Sequence, residues 1–160
     1  MESWHDFLIA LAGASGVLVG LLFVAMSISL DQLLKAPHLI SRGAGCLALI
    51  AGILMMCCAL LVPDLGQTAI AWIILLGAIG LWGVVTATGV RAFEEGKATY
   101  RKQGIVAIVF FQLATLPQVA AGIGAFLVGT DALYLLAAGF MIAFIVAVLD
   151  SWVLMIEVRR

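Results

Sequence analysis

Asp150 is the only acid inside the long apolar runs of this chain. An ionisable group at membrane depth is a functional candidate by default, because leaving water is costly unless a partner compensates. Two bases are placed to be that partner. Arg42 opens one apolar run and Arg91 closes another. With Ser151 next to it, Asp150 has two readings. One is a gate or proton-linked site built with Ser151 and one arginine. The other is an ion pair that only holds helices together. Eighteen residues of helix separate Ala132 from Asp150, about 27 Å at 1.5 Å per residue. That depth puts the carboxylate near an interface, and Trp152 beside it fits the headgroup level.

A second polar group lies in the run that holds Pro117. Gln112, Thr115 and Gln118 share an arc of about 120° at 100° per residue. Amides facing lipid would leave donors and acceptors unsatisfied. This face is therefore expected to meet another helix or water. Pro117 removes an amide donor and frees the carbonyl of Leu113, so a kink is expected. The polar arc serves either as glue between helices or as the lining of a path. Trp82, midway along its own run, is expected between helices with its indole N–H seeking a partner.

Little else on the chain suggests chemistry. Cys46, Cys57 and Cys58 fit no zinc spacing and no C-x-x-C pair, and read as packing residues. His5, beside Asp6, and His38 both lie outside the apolar runs. Ser15, Ser27, Ser29, Thr86 and Thr88 are expected to bond to the preceding helical turn. The sequence holds no phosphate loop, dinucleotide fingerprint, H-E-x-x-H or G-x-S-x-G motif. It predicts no enzyme, no cofactor and no metal.

The elements that carry these residues follow from composition. Of 160 residues, 65% are hydrophobic and 11% charged, against about 25% charged in soluble domains. The mean hydropathy is +1.24. A small water-soluble fold exposes too much area to hide so much apolar surface. A net charge of −1 without a basic stripe gives no reason to expect nucleic acid.

Five apolar runs, at about residues 7–30, 41–62, 69–90, 105–128 and 132–156, are each long enough to cross about 30 Å of hydrocarbon. Lipid-embedded backbone must pair within its own segment, so an all-α transmembrane bundle is predicted, as one domain without a linker. Residues 31–35 are expected to continue the first run until Pro37 ends it. The first run follows an acidic start without Lys or Arg, so it is expected to stay as a permanent span rather than be cleaved.

Threaded back and forth, the chain places all eight basic residues on one side. They are Lys35, Arg42, Arg91, Lys97, Arg101, Lys102, Arg159 and Arg160. The opposite connections carry Glu2, Asp6, Asp64 and Asp131. Cations near span ends resist translocation, which puts the N-terminus out and the C-terminus in. Trp4, Trp72 and Tyr134 then mark the outer interface, and Tyr100 and Trp152 the inner one.

Helices in lipid associate through close packing at small residues. Ala12, Gly16 and Gly20 form one stripe. Ala44, Ala48 and Gly52 form a second, and Gly77, Gly80 and Gly83 a third. These serve packing within the bundle or against a second copy, and a homo-oligomer is expected. Residues 20–30, GLLFVAMSISL, resemble the first helix of small uncharacterised bacterial membrane proteins. The resemblance implies a multi-pass protein of the bacterial inner membrane and carries over no activity.

Three functions fit these expectations. The first is a homo-oligomeric conduit for ions or small solutes. Gln112, Thr115 and Gln118 would line it, and Asp150 with Arg42 or Arg91 would narrow its inner end. The second is a non-catalytic adaptor or regulatory subunit. It would bind a membrane-protein partner through its glycine stripes and the basic loop at residues 91–104. The third is a binder of lipid or another amphiphile between helices.

Overall fold

Proline and glycine set where the helices stop. A computed structural model describes residues 2–34, 37–95 and 101–158. Within them run α1 (Glu2–Ile28), the short α2 (Leu30–Leu33), α3 (Pro37–Leu60), α4 (Gln67–Glu95), α5 (Arg101–Val128) and α6 (Ala132–Val158). Pro37 opens α3 at a helix start, where its missing N–H has no role to fill. The α3–α4 connection holds Pro63, and Asp64 takes a left-handed φ of 57° there. Asp is among the few residues that tolerate this conformation. A 3₁₀ turn, Gly129–Asp131, links α5 to α6. Gly129 has φ 66°, and a Cβ there would lie 2.7 Å from Gln67 Nε2, so glycine fits on both counts.

The helices extend past the apolar runs. α3 starts four residues before residue 41, and α4 continues to Glu95. Propensity and end capping carry a helix beyond the hydrophobic core, and hydropathy does not register those turns. The first run does not continue smoothly into residues 31–34. Ser29 forms a turn that separates α2 from α1, although backbone bonds bridge it, from Ser29 N to Ala25 O (3.2 Å) and from Leu33 N to Ser29 O (3.0 Å). Lys35, Lys97, Tyr100, Arg159 and Arg160 lie outside the described residues, as do the side chains of Arg101 and Lys102. α5 stays helical through Pro117.

The described residues form no strand. Four stretches among them are long and apolar enough to cross a membrane: Trp4–Ile28, His38–Leu60, Gln67–Glu94 and Gly104–Val153. The last covers most of α5 and α6 with the turn between them. This is the make-up of a multi-pass membrane protein.

α3, α4, α5 and α6 close a four-helix ring in which each helix packs on its two neighbours. α1 lies outside the ring, against α3. Successive long helices alternate in direction, so Trp4 meets Tyr134 edge to face at 4.8 Å at one end of the bundle. Trp72 meets Phe126 in the same manner at 5.3 Å. Arg42 and Asp150 meet at the other end.

The ring has a solid centre. Leu49, Ile50, Ile53, Ile74, Val85, Leu136 and Phe140 are fully buried there. Its outside is equally apolar, with Met55, Leu76, Leu116, Leu127 and Ile145 all exposed. Helices that are apolar all round suit lipid on one flank and protein on the other.

Glycine decides where the helices come closest. A Cβ on Gly122 would sit 2.7 Å from the Cα of Leu75, so α5 abuts the α4 backbone. At Gly45 it would meet Thr88 Oγ1 at 2.8 Å, and at Gly52 a methyl of Leu81 at 2.6 Å. Gly80 and Gly83 face open space, as do Gly16 and Gly20. Gly122→Ala should therefore lower stability by about 1–3 kcal/mol, since backbone cannot yield as a side chain can. Gly80→Ala should be neutral within about 0.5 kcal/mol or slightly stabilising. Thermal unfolding of both variants in detergent checks this. Equal behaviour of the two would contradict the packing.

Candidate functional site

Arg42 and Cys46 are four residues apart and share one face of α3. Ala147, Asp150 and Ser151 share the facing side of α6. Arg42 Nε donates to Asp150 Oδ1 at 2.8 Å, and Nη2 donates to the same oxygen. The two side chains are only 14% and 9% exposed. Asp150 Oδ2 is buried without a hydrogen-bond partner. The pair therefore loads one carboxylate oxygen twice and leaves the other bare, unlike the fork-to-fork arrangement that arginine favours with carboxylates.

Next to Asp150, the Ser151 hydroxyl donates one turn back, to Ala147 O, at 2.6 Å. The Cys46 thiol faces both Ala147 O, at 3.2 Å, and Ser151 Oγ, at 3.1 Å. Arg42, Cys46, Ser151 and Asp150 thus form one polar seam between α3 and α6. Arg91 is exposed near the end of α4 and takes no part in it.

A cavity of about 110 Å³ adjoins the seam between α5 and α6. Among the described residues its only polar lining comes from Arg42 and Asp150. Phe111 and Val146 form its buried walls, and the exposed residues Val106, Phe110, Leu149 and Val153 form its rim.

The three polar residues of α5 go to three different environments. Gln112 reaches α4, where its Oε1 accepts from Trp82 Nε1 at 2.6 Å and its Nε2 donates to Thr86 Oγ1 at 2.9 Å. Trp82 thus has the partner its mid-helix position called for, at 39% exposure on the outer α4–α5 surface. Thr115 donates back to Phe111 O at 2.9 Å. Gln118 is fully buried and donates to Ala114 O at 3.0 Å, and its Oε1 has no partner. It lies where α6 comes closest to α5, since a Cβ on Gly139 would be 2.9 Å from Gln118 Cγ.

At the opposite end, a hollow of about 550 Å³ is lined by His5, Asp6, Leu60, Pro63 and Asp64. The described residues contain no group of His, Cys, Asp or Glu arranged to hold a metal ion.

Sequence reasoning passed over Cys46 as a member of the seam. The four-residue step from Arg42 was the available signal, and it fixes a shared face without saying what that face meets. Gly45, Gly122 and Gly139 were also passed over, because the stripes sought were regular and these close contacts are single. No protein family, curated protein or solved structure matches the chain.

The ion pair yields a clear expectation. Asp150→Asn removes the carboxylate that faces the largely buried guanidinium of Arg42 and should cost about 3–5 kcal/mol. Joint replacement, Arg42→Met with Asp150→Leu, should recover most of that loss, because both desolvation penalties disappear together. A double-mutant cycle by denaturant titration in micelles measures the coupling. Strictly additive losses would mean that the two groups do not act as a pair.

Proposed function

We propose that this chain is an integral membrane protein that acts without catalysis, as an adaptor or regulatory subunit that associates laterally with other membrane helices. The observation that carries the reading is the division among its glycines. Gly45, Gly52, Gly122 and Gly139 lie at close contacts inside the bundle, whereas Gly13, Gly16, Gly20, Gly80 and Gly83 meet nothing within 4 Å. Small residues on a lipid-facing flank give up van der Waals contact unless another helix approaches. α1 adds to this, since it packs on one flank and leaves Val17, Leu21, Val24 and Ile28 exposed. Self-association into a homo-oligomer is part of the proposal.

The accompanying topology is five crossings, with the N-terminus outside and the C-terminus inside. The one-sided placement of the eight basic residues supports it. The resemblance of residues 20–30 supports a bacterial inner membrane.

A second reading, a homo-oligomeric conduit, draws on a different observation. Trp82, Thr86 and Gln112 form a polar patch on the outer surface of α4 and α5, and an oligomer axis would give that patch water. The packed centre of the ring means that such a path would run between copies. Gln118 and Thr115 would lie off it.

Native mass spectrometry from mild detergent tests the adaptor reading. The wild type should be oligomeric, and Gly16→Leu with Gly80→Leu should shift it toward monomer while each chain stays helical by circular dichroism. A wild-type monomer would end the proposal. Flux through reconstituted liposomes separates the readings. Ion currents altered by Gln112→Leu would favour the conduit, and tight liposomes the adaptor. Tags on the two chain ends should label from opposite compartments.

A further inference from the structure

Thr86 lies within the apolar stretch of α4, one turn beyond Trp82. Ser15, Ser27, Thr88, Thr115 and Ser151 each donate their hydroxyl proton to a backbone carbonyl within one turn. Thr86 makes no such bond among the described residues. Its oxygen accepts from Gln112 Nε2 at 2.9 Å, which leaves the hydroxyl proton unspent. Gln112 also has capacity in reserve. A carboxamide has two N–H groups and two lone pairs, and this one uses one of each, toward Thr86 and Trp82. Lipid tails can neither accept a proton nor donate one.

The helix surface beside Thr86 is open. Gly83 precedes it by one turn, and Ala87 follows it on the same face. A Cβ on Gly83 would meet nothing within 4 Å, and the same holds at Gly80. Ile79 and Val90 are exposed above and below. A short hydroxyl reaches another helix only if the backbones come close, and small residues on its own face allow that. The groups in reserve decide the occupant. A face with donors alone or acceptors alone calls for a molecule of the opposite kind. This network keeps both and carries no charge, so it complements itself. Copies inserted in the same direction carry it at the same depth, and a two-fold axis along the membrane normal turns the face onto its own image. We infer that α4 packs against α4 of a second copy across Gly83, with the Thr86 hydroxyl donating to an oxygen of the copy's own network. The contact rests on the self-association included in the adaptor reading and gives it a location.

Cysteine cross-linking in liposomes tests this on the full chain, with the exposed Cys58 changed to alanine. Under copper phenanthroline, Gly83→Cys and Ala87→Cys should each give a covalent dimer. The yield should be at least tenfold above that of Ile145→Cys, on the exposed flank of α6. Energy transfer between labelled chains measures the association itself. Thr86→Val should weaken it about tenfold, because the two-fold axis repeats the lost bond. Thr86→Ser, which keeps the hydroxyl, should hold it within twofold. Gly83→Leu, which meets open space in the single chain, should abolish it at unchanged helix content.

An oligomer that cross-links at neither position overturns the contact and leaves self-association to another face. A monomer overturns both the contact and the reading beneath it. Equal affinity of the wild type and Thr86→Val removes the hydroxyl's part, and the inference with it. Modification of Gly83→Cys by a membrane-impermeant thiol reagent, without a cross-link, puts water at this face and overturns the inference as well.

Discussion

Every polar group on these helices must find its partner inside the protein, because the flanks offer none. That constraint organises the molecule. Serine and threonine meet it locally, as Ser15 does by donating to Leu11 O at 2.7 Å and Ser27 by donating to Phe23 O at 2.8 Å. Longer side chains reach across. Gln112 ties α5 to α4 through two hydrogen bonds, and Arg42 ties α3 to α6 through Asp150. Such bonds are individually modest in membranes, at about 0.6 kcal/mol. Their larger effect is to select which helix faces meet, since apolar helices would otherwise pack almost as well in several rotations.

Shape supplies most of the cohesion. Lipid tails are as apolar as leucine, so burial gives helices little reason to leave lipid for one another. Close approach at Gly122, Gly52, Gly45 and Gly139 offers contact that lipid cannot match. These positions join α4 to α5, α3 to α4 and α5 to α6, so they hold three of the four contacts of the ring. The fourth, between α3 and α6, carries the polar seam of Arg42, Cys46, Asp150 and Ser151. Glycine contacts and polar contacts thus divide the circumference between them.

Two buried acceptors left unpartnered among the described residues show where the constraint is not met. Gln118 Oε1 is sealed where α6 presses on α5, at a spot chosen by the approach of Gly139. Asp150 Oδ2 is buried behind the ion pair, whose donors both load the other oxygen. The first is a cost of tight packing, while the second is a cost of an ion pair made through one oxygen.

Much of the secondary structure was legible in the residues. Apolar length and backbone self-sufficiency required helices. Pro37, Pro63 and Gly129 marked their ends, and Asp150 and Trp82 stood out because a charge and an indole N–H both demand partners. The choice of partners was not legible. Arg42 and Arg91 sit at similar depth, and only the closing of α3 on α6 brought Arg42 to the carboxylate. Gln112, Thr115 and Gln118 share an arc on α5, but that arc is wide enough to meet α4, the helix's own backbone and α6 in turn. Helices that are apolar on all sides carry no pattern that distinguishes core from lipid, so sequence left inside and outside undetermined. The tertiary structure decided it through backbone approach at single glycines, a property of two helices at once that neither one encodes alone.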